Sequence, residues 1–175
     1  MLSLVFLASC ATLSEYNPAL PKVIIAKAEP GDFSRYGQSY ESNPYLEPKT
    51  LLRGKLNEFF IAKLSFNLRE ESRISIIADA IALDGTKAAT AYDQDGFRDY
   101  WTFVSGDSTE GKNFSKKMNT IAQTCVYSMQ FTQKAGQNTM FLPMVGKNPI
   151  PRPATIYIQV STGSGEPAVF KYTLE

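Results

Sequence analysis

Histidine is absent from the 175 residues. That absence removes Ser-His and Cys-His nucleophile pairs and every His-ligated metal centre. A charge excess of either sign is also lacking, because 18 Lys+Arg stand against 17 Asp+Glu for a formal net charge of +1. A general nucleic-acid binder carries a basic excess, so that partner class is excluded. Long apolar runs are missing too. The stretch Met1–Cys10 is too short to cross a bilayer as a helix, which takes roughly 20 apolar residues. No internal repeat, coiled coil or low-complexity tract interrupts the chain. What remains is 43% hydrophobic and 20% charged, the balance of an ordinary globular protein with one hydrophobic core.

From Lys22 onward the dominant hydrophobic period is two. Phe60, Ala62, Leu64, Phe66 and Leu68 share one face, opposite Lys63, Ser65 and Asn67. Cys125, Tyr127, Met129 and Phe131 alternate with Val126, Ser128 and Gln130. Ile156, Ile158 and Val160, and then Phe170, Tyr172 and Leu174, repeat the pattern. Weaker strands are expected at Lys22–Ala28, Thr50–Lys55, Arg73–Leu83, Thr86–Tyr92, Asp99–Val104 and Thr139–Val145. Asp84-Gly85 reads as a two-residue hairpin turn. About nine or ten half-buried strands predict an all-β fold, an antiparallel β-sandwich, with a closed barrel as the alternative. Phe114, Met118 and Ile121 behind Asn113 predict one short helix over Asn113–Ala122. The prolines between Gly146 and Pro153 predict a stiff crossover between sheets.

Leu7-Ala8-Ser9-Cys10 resembles the lipobox of bacterial lipoprotein signal peptides. The resemblance implies cleavage before Cys10 and attachment of diacylglycerol to its thiol. Two or three acyl chains, at about 0.8 kcal/mol per buried CH₂, anchor a protein stably. No Lys or Arg precedes Glu15, whereas signal peptides open on a basic region, so a start upstream of Met1 is expected. The organisation that follows is a signal remnant over 1–9, a lipidated cysteine and extended tether over 10–21, and a sandwich domain over 22–175. Asn17-Pro18 and Leu20-Pro21 support the extended reading of the tether. Ala11, in place of aspartate, resembles the pattern sorted away from the inner membrane.

Asp93-Gln94-Asp95-Gly96-Phe97-Arg98-Asp99 resembles calcium loops of the thrombospondin type 3 and related bacterial repeat families. The resemblance implies Asp93, Asp95 and Asp99 as oxygen ligands, with glycine permitting the sharp turn. Those families carry a further aspartate where this chain has Ala91, and their loops come in tandem, whereas this run occurs once. The competing reading is a polar turn beside a strand that buries Trp101 and Phe103. The stretch Pro30–Pro48 holds Phe33, Tyr36, Tyr40 and Tyr45. Tyr36 and Tyr40 are candidate ligand contacts, since tyrosine offers a flat apolar face and a polar tip, and packing over a sheet edge is the alternative. Cys125 lacks an activating histidine and reads as a buried free thiol. Acid-pair catalysis needs no histidine, yet no two separated acids are singled out.

The reading that follows is a lipid-anchored lipoprotein of the bacterial cell envelope, periplasmic or surface-exposed, with a non-enzymatic domain. Its expected partners are the membrane, through the N-terminal lipid, and an envelope or host protein or glycan. No cofactor is required. A calcium-dependent binding module is the alternative.

Overall fold

The computed structural model describes residues 17–33, 49–52, 55–105, 109, 112, 122–146 and 149–175. Cys10, Tyr36 and Tyr40 lie outside them, as does the helix expected over Asn113–Ala122 apart from Ala122 itself. The described elements are antiparallel strands, one α-helix and a short 3-10 turn over Pro30–Phe33. In chain order the strands and the α-helix are β1 (Val23–Lys27), β2 (Lys49–Leu52), β3 (Lys55–Leu68), β4 (Ser72–Ala82), β5 (Lys87–Ala91), α1 (Gln94–Ser105), β6 (Gln130–Gln133), β7 (Gly136–Gly146), β8 (Ala154–Thr162) and β9 (Ala168–Leu174). Pairing runs β1-β3-β7-β5-β4-β8-β9, with β2 added to β3 and β6 to β4. The expected all-β architecture is the one observed.

Two halves face each other. β1, β3 and β7 form one, and β4, β8 and β9 the other, while β5 belongs to both because it pairs with β4 and with β7. The sheet is therefore a sandwich joined along one side into a nearly closed barrel. The opposite seam lies between β1 and β9, where Lys27 Nζ sits 5.9 Å from the centre of the Tyr172 ring. Between the halves, Phe60, Ala62, Leu64 and Phe66 of β3 meet Ile74, Ile76, Ile156, Ile158 and Val160 in one buried cluster. Period-two strands put these residues on one face, and burying an aliphatic or aromatic side chain contributes about 1.5–3 kcal/mol each.

Pro143 sits within β7, opposite Ile61 of β3. Its carbonyl accepts the Tyr92 amide at 2.9 Å, so its missing donor faces the point where the chain leaves β5 for α1. A proline is tolerated in an interior strand when its nitrogen faces such a break in the ladder.

Four local expectations are corrected. Asp99–Val104 is not a strand but the second half of α1. Helical turning separates Trp101, fully buried, from Phe103, which is 86% exposed, where alternation would have put both in the core. The β4–β5 connection is a three-residue loop, Leu83-Asp84-Gly85, because the Ala82 amide bonds the Thr86 carbonyl at 2.9 Å. Gly85 closes it at φ 83°, and Asp84 Oδ1 accepts the Thr86 amide and hydroxyl. The Thr124–Thr132 alternation fails before β6: Cys125 and Val126 are both buried, and Tyr127 is 59% exposed. There the chain makes a parallel bridge from Cys125 to Phe141, and no regular strand forms. Finally, the end of the tether is folded. The Leu20 amide bonds the Asn17 carbonyl at 3.1 Å and the Ala19 amide bonds Asn17 Oδ1 at 2.9 Å, a turn that Asn-Pro at its first two positions favours.

Candidate functional site

The aspartate run lies at the start of a helix. Asp93 is the N-cap of α1: its Oδ1 accepts the Gly96 amide at 2.9 Å, and its carbonyl accepts the Phe97 amide at 2.9 Å. Asp95 forms an ion pair with Arg98 one turn on, and Asp99 lies exposed on the same helix. Gly96 lets this arrangement close, because a Cβ there would stand 3.0 Å from Tyr92 Cδ1 and 3.2 Å from Asp93 Oδ1. The three carboxylates are not brought together. No group of three or more acids, cysteines or histidines that could hold a metal ion occurs among the described residues.

Helix α1 covers the upper part of the outer face of β3 and β7. Phe97 and Trp101, four residues apart, point at Phe59, Ile61, Phe141 and Val145, with Cys125 and Ala122 completing the cluster. Trp101 stacks on Phe59 at 5.3 Å and takes the edges of Phe97 at 5.9 Å and Tyr100 at 5.1 Å. Burial pushes the Tyr100 phenol up to about 12, with the neighbouring Tyr92 adding to it. Both rings therefore stay neutral at physiological pH, as packing groups. Cys125 is buried within this cluster and in no disulfide, as expected, although the alternation that suggested its burial breaks down at Val126 and Tyr127.

One buried acid escaped the sequence reading. Glu58, at the upper end of β3, is 4% exposed. Its Oε2 accepts the Ile150 amide at 2.8 Å and Arg152 Nη1 at 3.1 Å, while Oε1 meets Arg152 Nη2 at 2.5 Å. The fork pins the proline-rich crossover to β3, and the Glu58 hydrogen bond holds the Arg152 guanidinium even more firmly protonated than usual. Both carboxylate oxygens are engaged, so Glu58 serves as a structural clamp. Its partner lies 94 residues away, beyond any local sequence signal.

Below the helix, α1 no longer covers the same outer face. Lys63 marks the boundary, pairing at 2.5 Å with Asp32 of the 3-10 turn Pro30–Phe33. Burial pushes the Asp32 carboxyl up, but Lys63 and the Glu29 amide outweigh it and hold it below the usual carboxylate range. Beyond Lys63 lies a groove of about 610 Å³ lined by Leu20, Pro21, Ile24, Ser65, Phe66, Asn67, Gln137, Asn138 and Thr139. Register builds its floor: Ile24, Ser65 and Thr139 form one cross-strand row, and Asn67 and Gln137 the next. The Asn17 turn carries Leu20 to its rim, and the Asn67 amide holds the entering chain by donating to the Lys22 carbonyl at 2.8 Å. A second groove of about 360 Å³ runs along the β1–β9 seam and contains Lys22 and Glu166. On the far half, Ile77, Tyr157 and Val169 are exposed singly among Asp79, Gln159 and Lys171, an ordinary solvated face.

No protein-family model matches the chain, and no curated protein matches it. Among solved structures, a FixG-related protein from Vibrio parahaemolyticus aligns over 89% of this chain and 96% of that chain, at 8% identity and a TM-score of 0.41. A likeness that distant transfers neither fold nor function.

Proposed function

We propose that the chain is a lipid-anchored lipoprotein of the bacterial envelope whose β domain binds a ligand and does no catalysis. The observation that carries the anchor is Leu7-Ala8-Ser9-Cys10, an apolar run ending in small residues at a cysteine, ahead of a body whose first strand begins at Val23. Absence of catalysis rests on the chemistry of the groups available. The chain has no histidine, Glu58 is clamped by Arg152, Asp93 caps a helix and Asp95 is paired with Arg98. A binding role rests on the groove below α1, whose volume falls within the range of small-ligand sites, about 300–1,000 Å³.

The groove lies at the end of the body where the chain enters. At about 3.3 Å per extended residue, the stretch from Cys10 to Asn17 places it within roughly 25 Å of an anchoring bilayer. Membrane fractionation of the protein expressed from its natural gene in a Gram-negative host tests the anchor. The native protein sediments with membranes and is released only by detergent, while Cys10→Ala moves to the soluble fraction. Equal sedimentation of both forms would remove the lipid anchor.

A further inference from the structure

We propose that the groove below α1 takes a neutral saccharide, an inference that rests on the domain being a binding module. All nine lining residues are uncharged, in a chain where 20% of residues are charged. Ionic ligands would therefore find no counter-charge in it, in contrast to the seam groove with its Lys22 and Glu166. Asn67, Gln137 and Asn138 supply amide donors and acceptors, and Ser65 and Thr139 supply hydroxyls that act as either. Leu20 and Ile24 are partly exposed along the same groove and give it an aliphatic wall. A pyranose is the ligand with that make-up: hydroxyls around the ring, apolar C–H faces and no formal charge.

One further observation narrows the choice. β3 runs along the floor and is paired on both sides there, with β1 through Ile24–Ser65 and with β7 through Ser65–Thr139. The floor therefore presents side chains and no free strand edge, which disfavours an added peptide strand.

The test is titration calorimetry of the full chain in detergent with four probes: cellotetraose, maltotetraose, chitotetraose and the charged tetragalacturonate. Saturable binding of at least one neutral tetrasaccharide is expected, with tetragalacturonate at least about tenfold weaker. The double variant Gln137→Ala/Thr139→Ala removes two exposed groups and should keep the native melting temperature while weakening the neutral sugar about tenfold or more, near the worth of two hydrogen bonds. Three results would overturn the proposal: no binding of any neutral probe, tetragalacturonate binding as tightly, or an unchanged Kd in the double variant. Should the sugars fail while the chain still fractionates with membranes, the ligand class falls and the anchor stands.

Discussion

The upper and lower parts of one sheet face, built from the same two strands, have opposite fates. Above Lys63, the outer positions of β3 and β7 are Phe59, Ile61, Phe141 and Val145, and α1 lies on them. Below it, the outer positions are Ser65, Asn67, Gln137 and Thr139, beyond the reach of α1, with Gln137 and Thr139 exposed, Ser65 half-buried and Asn67 buried. The inner positions do not change character along the way, running from Phe60 to Phe66 and from Met144 to Met140 within the core. One strand thus carries a constant inner pattern and an outer pattern that switches from apolar to amide and hydroxyl. The switch decides where the helix can sit and leaves the groove.

Substitutions should affect the two parts very differently, and the largest losses belong to the covered half. Arg152→Ala would strand the buried Glu58 carboxylate; loss of one partner of a fully buried pair costs about 3–5 kcal/mol, and the lower figure applies because Arg152 is itself 34% exposed and the Ile150 amide still bonds Glu58. For a chain of this size about 3 kcal/mol lowers the melting temperature by roughly 6–12 °C. Trp101→Ala should cost a similar amount, about 3–5 kcal/mol, by emptying the helix–sheet contact. A smaller loss, about 1 kcal/mol, is expected for Asp93→Ala, because α1 loses its cap. Denaturant melts check all three, and a Trp101→Ala protein as stable as the native one would mean that α1 does not hold the upper half.

At the boundary, Asp32→Asn should cost under about 1 kcal/mol at neutral pH, since both members of its pair with Lys63 are partly exposed. The sign follows from its lowered carboxyl: the pair stabilises above the unfolded value of about 3.9, and its contribution is lost as pH falls through the folded value. Native and Asp32→Asn melts should therefore converge in strong acid. In the lower half, Gln137→Ala should move stability by less than about 0.5 kcal/mol. Calcium should do still less. Melts with calcium, magnesium and chelator are expected to superimpose, because Asp93 and Asp95 are already engaged and the three carboxylates are spread along a helix. A calcium-selective rise would show that the start of α1 can open to gather them.

How much of this was legible in the sequence follows the same division. The inner faces of β3, β8 and β9 could be read from alternation alone, because every second residue meets the core. α1 was obscured because Trp101 and Phe103 also fit a strand, while the helical signals, Asp93 as a cap and Phe97 with Trp101 at a spacing of four, overlap a run that imitates a calcium loop. The pairing of Glu58 with Arg152 left no local trace. The groove left none either, because its floor consists of residues from β1, β3 and β7 that only register brings into rows.

Mass spectrometry of the native N-terminus tests the central claim, that this domain works from a lipid anchor, most directly. The account predicts a terminal peptide beginning at Cys10, heavier than its sequence by a diacylglyceryl group, with or without a further acyl chain. An unmodified peptide spanning Leu7 to Ser14 from the membrane-associated protein would contradict it.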